Sequence, residues 1–141
     1  MPSSTSQVPA YAGLGILVRD ILFLSPREAF EALSRGATLM DLRQEDEIEL
    51  RRFRVDNILY LPAYEVRAAL TRIPKDRPLI LADEIGLESK EVATFLATVG
   101  FPLVSVLNGG LAEWHGDGLP TTVDGILTGQ CSCKLRPQRF R

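Results

Sequence analysis

Residues 78–89 read PLILADEIGLES, and the reading of this stretch decides the fold. Leu79-Ile80-Leu81-Ala82 is a short apolar run of the kind that forms a strand buried on both faces. A compact loop around Gly86 follows, and Ser89 to Val99 (SKEVATFLATV) has helical spacing. A strand that passes through a tight loop into a helix gathers the loop's backbone N–H groups at a helix N-terminus, a position suited to an anion or a reacting group. What stands there is three carboxylates, Asp83, Glu84 and Glu88.

The flanking sequence alternates in the same way. Upstream, Arg19 to Leu24 (RDILFL), Ala37 to Leu42 (ATLMDL) and Asn57 to Leu61 (NILYL) read as strands. Between the first two, Ser25-Pro26-Arg27-Glu28 is a helix start with Ser at N-cap, Pro at N1 and an acid at N3. That helix is expected to turn Ala29, Phe30 and Leu33 inward and to stop near Gly36. Gln44 to Arg52 is highly charged and predicts a short exposed helix, and Ala63 to Thr71 predicts another with Tyr64, Val66 and Leu70 inward. Downstream come a strand at Leu103 to Leu107, a tight turn at Asn108-Gly109-Gly110 and a short helix over Leu111 to Trp114. Strands alternating with helices at these lengths predict an α/β fold: a five-stranded, mostly parallel sheet with helices on both faces.

Composition narrows the function classes. Among 141 residues, 45% are hydrophobic and 24% charged, ordinary values for a globular domain. The formal charge of −2 gives no lean toward nucleic acid or membrane surfaces. No run is long enough to span a bilayer and the N-terminus lacks a basic leader, so a cytoplasmic location is expected. Residues 125–141 hold four bases (Lys134, Arg136, Arg139, Arg141) and no acid, leaving 12 bases against 18 acids before them, a balance of −6. The expected organisation is a flexible segment over 1–18, a domain over 19–124 and a basic tail over 125–141.

The order of motifs resembles the rhodanese family of sulfurtransferase domains over Arg19 to Val123. Ser25-Pro26-Arg27-Glu28 is similar to that family's opening helix cap, and Met40-Asp41-Leu42-Arg43 to its Asp-x-Arg at a strand end. Pro74-Lys75-Asp76-Arg77-Pro78 resembles its lead-in to the active-site loop. The most specific piece is Gly100-Phe101 through Leu107-Asn108-Gly109-Gly110-Leu111-x-x-Trp114, closed by Gly118-Leu119-Pro120. The resemblance implies a three-layer α/β sandwich and an active loop at Asp83, Glu84, Ile85, Gly86, Leu87, Glu88 and Ser89, with Asp41 and Arg43 supporting it.

The chemistry of the family departs at that loop. Its loop begins with a cysteine three residues before a glycine and commonly carries an arginine five residues after the cysteine, followed by a serine. With Gly86 and Ser89 on those landmarks, Asp83 takes the cysteine position and Glu88 the arginine position; Ala82 and Glu84 are not cysteine either. Sulfur transfer needs a thiolate that attacks the donor and holds a persulfide, and a carboxylate is harder and far less nucleophilic toward sulfur. Two unit charges about 5 Å apart at an effective dielectric near 20 interact by roughly 3 kcal/mol. A helix terminus offsets only about 0.3–1 kcal/mol per charge. On these magnitudes the loop repels anions.

Two readings of the acids follow: a site for a cation, an amine or a basic peptide, or carboxylates that cap the helix and face solvent. Ser89 reads as a cap or loop-orienting residue and Asp41–Arg43 as an internal ion pair. His115, the lone histidine, reads as a base at a helix end. Cys131 and Cys133 in the tail could serve as redox or persulfide thiols but supply only half of a tetrahedral metal site. No metal or cofactor is expected, the partner and oligomeric state are open, and a basic tail folded over the acidic loop is a further expectation. The leading functional expectation is a silent family member acting as a binding or regulatory module. The alternative is a sulfur or redox protein working through Cys131 and Cys133.

Overall fold

The structure, a computed structural model, describes residues 8–123. Contacts divide the described residues into two compact units, 8–43 with 56–119 and 44–55 with 120–123. Within the first unit, β1 (Ile16–Val18), β2 (Ile21–Leu24), β3 (Thr38–Asp41), β5 (Ile58–Tyr60), β6 (Leu79–Ala82) and β7 (Val104–Leu107) form one sheet. The second unit contains α2 (Glu45–Leu50) and an antiparallel pair, β4 (Arg52–Phe53) with β8 (Thr121–Thr122), closed by Arg54 N–H donating to Pro120 O at 3.0 Å. The predicted helix over 44–52 is therefore shorter, and Ile48 turns inward from it.

The six-stranded sheet runs in the order β1-β2-β7-β6-β3-β5, with every pair parallel except β1–β2. The predicted five parallel strands are all present. β6 lies at the centre, buried along its whole length as its unbroken apolar run requires. Alternate residues serve opposite faces: Met40, Leu81 and Val106 pack with Ala93 and Leu96 of α3 (Leu87–Thr98), while Leu39 and Ile80 point the other way. The predicted α/β class with helices packed on a mostly parallel sheet stands.

The sixth strand corrects the sequence reading. Residues 8–18 were expected to be flexible, yet Pro9–Tyr11 form a 3-10 turn and β1 pairs antiparallel on the sheet edge. The hairpin turn holds Arg19 and Asp20 at φ 51° and 67°, the left-handed values that a two-residue turn of this twist needs. Tyr11 is fully buried and its hydroxyl donates to Leu79 O at 2.9 Å and Leu103 O at 3.2 Å. Burial pushes the Tyr11 hydroxyl well above its usual range, against a smaller lowering from Ser105.

The helix α1 (Pro26–Ser34) begins as its sequence predicts. Ser25 Oγ accepts from Glu28 N–H at 3.2 Å, and Glu28 Oε1 accepts from Ser25 N–H at 2.9 Å. Glu28 also ties down the N-terminal segment, its Oε2 accepting from Gly15 N–H at 3.0 Å. Partial burial raises the Glu28 carboxyl's pKa, but hydrogen bonds from Gly15 and Ser25 outweigh it and the net shift is downward. A lowered folded pKa gives stabilisation that is present above the ordinary carboxylate range and lost as pH falls through the folded value. Glu28→Gln should therefore cost about 1 kcal/mol at neutral pH. In a pH series of denaturant melts, the difference between Glu28→Gln and wild type should shrink on the acid side.

Two inward predictions are revised. Phe30 is half-exposed and meets the buried Trp114 ring edge-on, centroids 5.9 Å apart, while Ala29 and Ala32 take the inward face. The expected helix at 63–71 is instead two 3-10 turns, Ala63–Ala68 and Leu70–Arg72. With three residues per turn, Val66 and Ala69 point inward and Tyr64 rotates out to 72% exposure. Among the described residues, no helix is long and apolar enough to cross a membrane.

Candidate functional site

The C-terminal ends of the parallel strands bring three segments together. Asp41 ends β3 in register with Ala82, the last residue of β6, and Leu42 N–H donates to Ala82 O at 2.8 Å. Asp83 therefore emerges beside Arg43. β7 ends alongside, leading through Asn108 and Gly109 into α4 (Gly110–Gly116).

Asp83 turns inward, contrary to the expectation of solvent-facing acids, and is 2% exposed. Its Oδ1 accepts from Gly86 N–H at 2.5 Å; its Oδ2 accepts from Glu88 N–H at 2.6 Å and Ser89 N–H at 3.3 Å. The buried Ser89 hydroxyl donates to Oδ1 at 3.4 Å. Gly86 is the N-cap residue of α3, held at φ 96°, and has no side chain with which to cap. Asp83 supplies the missing oxygen from three residues upstream. The loop's amide donors thus converge on a carboxylate belonging to the loop itself.

The loop's carbonyls are held by α4. Leu111 N–H donates to Asp83 O at 2.8 Å and Ala112 N–H to Glu84 O at 3.0 Å, so two orphan donors of that helix start are satisfied. Gly110 makes the approach possible. At φ 63°, a Cβ there would lie 2.5 Å from Asp83 O and 2.7 Å from the Glu84 carbonyl carbon.

Asp41 and Arg43 form a two-point ion pair, Arg43 Nε to Asp41 Oδ1 at 3.0 Å and Nη2 to Oδ2 at 2.9 Å. Both side chains are at most 1% exposed. Arg43 Nη1 also reaches Glu84 Oε1 at 3.5 Å, which anchors the loop's half-exposed acid. Burial pushes the Arg43 guanidinium's pKa down, but the Asp41 carboxylate, with Glu84 adding to it, more than restores the charged form, and the net shift is upward.

The simple picture of three acids repelling anions across open solvent is therefore corrected. Asp83's charge is met by backbone amides and Glu84's by Arg43. Ile85 and Leu87 are exposed on the loop. His115 lies exposed at the end of α4, and the structure does not bring it into the Asp83 hydrogen-bond set. Cys131, Cys133 and the tail expected to cover the loop lie outside the described residues. No group of three or more metal-ligating side chains occurs among the described residues.

Sequence reasoning missed the inward turn of Asp83 and the bracing by α4. The spacing Asp-x-x-Gly just before a helix was the available signal for the first, since it matches a capping side chain displaced from a glycine N-cap.

With this geometry, the comparisons with known proteins agree on one class. Residues 25–117 match the model of the Rhodanese-like domain. The chain is 34% identical over 124 residues to the uncharacterized protein YibN of Escherichia coli K12, covering 79% of this chain and 85% of that one. It is 29% identical over 102 residues to the thiosulfate sulfurtransferase GlpE of Ectopseudomonas mendocina, covering 72% and 92%. A rhodanese-related protein from Thermoplasma volcanium superposes with a TM-score of 0.64 at 20% identity, over 72% of this chain and 97% of that one. The chain belongs to the rhodanese-like domain family.

Proposed function

We propose that this chain is a catalytically silent rhodanese-like domain serving as a binding or regulatory module, with Asp83 standing where sulfur-transferring relatives carry their nucleophilic cysteine. The observation that carries this reading is the carboxylate of Asp83 taking the N–H groups of Gly86, Glu88 and Ser89 at 2.5, 2.6 and 3.3 Å. In a thiosulfate sulfurtransferase, a cysteine thiolate attacks the outer sulfur of thiosulfate, sulfite leaves, and the enzyme keeps a persulfide. That intermediate needs a thiolate and donors free to hold an anion. Here the nucleophile position has no thiol, and the donors already serve an internal anion.

Magnitudes decide whether an external anion could displace it. Hydrogen bonds to charged groups contribute roughly 1.5–3 kcal/mol each. An anion of millimolar affinity present at about 10 mM gains about 1.4 kcal/mol. Three internal bonds that involve no loss of translational freedom outweigh that gain.

A thiosulfate-to-cyanide transfer assay tests the reading. The wild-type chain should form no thiocyanate above the rate without protein. Asp83→Cys should restore little, because Glu88 stands where the family commonly carries the arginine that would hold the sulfur-bearing anion. Turnover that vanishes in Cys131→Ser/Cys133→Ser would move the chemistry to the tail thiols and overturn the proposal. Turnover that survives this change would overturn the account of the loop as well.

A further inference from the structure

We infer that β1 is a self-pairing edge: two copies of this chain join by antiparallel pairing of Ile16–Val18 about a two-fold axis at Leu17. The sheet of one copy then continues into the sheet of the other. β2 and β7 separate this edge from β6, which carries the Asp83 loop, so the inference stands apart from the silent-domain reading.

The six-stranded sheet has two outer strands, and they differ. At β5, Ile58 and Leu59 are half-buried. At β1, Ile16, Leu17 and Val18 are 70%, 40% and 49% exposed. Natural edges are commonly blunted by a lysine, a proline, an inward charge or a bulge. Residues 16–18 carry none of these side chains, and their register with β2 is unbroken.

Turn geometry decides which backbone groups face outward. Val18 and Ile21 close the two-residue turn at Arg19-Asp20 and so exchange hydrogen bonds. Pairs alternate along an antiparallel ladder, so Leu17 and Leu22 do not exchange them. The Leu17 N–H and C=O therefore point to the open edge. A donor and an acceptor on one residue are matched by the same residue of a second copy run antiparallel, each N–H donating to the other's C=O.

Side chains and charges fit that arrangement. The axis sets Ile16 of each copy against Val18 of the other and Leu17 against Leu17, so each exposed apolar residue gains an apolar partner. Arg19 falls opposite Gly15 of the second copy, whose N–H is held by the Glu28 carboxylate at 3.0 Å. No ion pair among the described residues uses Arg19. Pairing thus brings an uncommitted cation toward an acid, twice by symmetry. Asp20 falls opposite Leu14, so no like charges meet. This charge match selects a second copy. The edge is short, and the dissociation constant should lie at about 10–100 µM.

Sedimentation velocity of the full chain, from about 1 to 500 µM, tests the inference and should show a reversible monomer–dimer equilibrium. Leu17→Lys places two cations on the axis and should weaken the dimer at least about tenfold. Arg19→Glu should weaken it about threefold or more, with most of the difference lost at high salt. A second measurement locates the axis. In a Cys131→Ser/Cys133→Ser background, Leu17→Cys should form an interchain disulfide on mild oxidation, because directly opposed Cα atoms stand about 5.5 Å apart. Ile16→Cys should not, since two copies of residue 16 lie diagonally about the axis and beyond the roughly 7 Å limit for bridging. A chain that stays monomeric throughout, a dimer indifferent to Leu17→Lys, or a disulfide favoured at residue 16 over residue 17 would each overturn the inference.

Discussion

Asp41→Ala should destabilise the domain by about 3–5 kcal/mol, the usual penalty for stripping one partner from a buried ion pair. Arg43 is 1% exposed and would keep Glu84, at 3.5 Å, in place of the two shorter bonds to Asp41. A guanidinium cannot escape by deprotonating, so its charge stays buried or the loop opens to hydrate it. Either outcome lowers the midpoint of a denaturant melt, and the second also raises amide exchange at Glu84. The double change Asp41→Ala/Arg43→Leu should recover part of the loss, because an apolar replacement of both partners removes the buried charge. A double change as damaging as the two single changes added together would mean that the pair does not act as a unit.

Asp83→Ala should cost about 2–4 kcal/mol, combining the loss of a helix cap with amide donors left without an acceptor. The donors are those of Gly86, Glu88 and Ser89, of which only the last is buried, so water can satisfy part of the set. Asp83→Asn should recover less than half, because a side-chain amide has a single acceptor oxygen and would turn its own N–H₂ toward one group of donors. Thermal melts of the three proteins check the order wild type, Asn, Ala. Equal midpoints would show that the carboxylate contributes nothing to the loop.

Much of the fold is legible in residues whose local and global demands coincide. Leu79-Ile80-Leu81-Ala82 has no polar face, so it can only be an interior strand, and Ser25-Pro26-Arg27-Glu28 states a helix start in three residue types. The failures come where context overrides pattern. The stretch around Gly13 and Gly15 looks like a break, yet Gly15 N–H finds Glu28 and the neighbouring Ile16–Val18 finds a sheet edge. Tyr64 sits at helical spacing, but a 3-10 turn rotates it outward.

At the site, residue identities carry the Asp41–Arg43 pair. They do not carry the direction in which Asp83 turns. That depends on Gly86 at φ 96° presenting its N–H and on Gly110 admitting the α4 amides to within hydrogen-bonding distance of the loop. The first is a local backbone angle that Asp-x-x-Gly signals, whereas the second is an approach between segments far apart in the chain, which periodicity does not encode.

The amide signals of Gly86, Glu88 and Ser89 give the most direct measurement, read by NMR during a titration with thiosulfate up to tens of millimolar at constant ionic strength. With its own carboxylate in the cradle, the wild-type chain should show no saturable movement at these three positions, whereas Asp83→Ala should show it. Saturable movement of the same three amides in the wild-type chain would contradict the account.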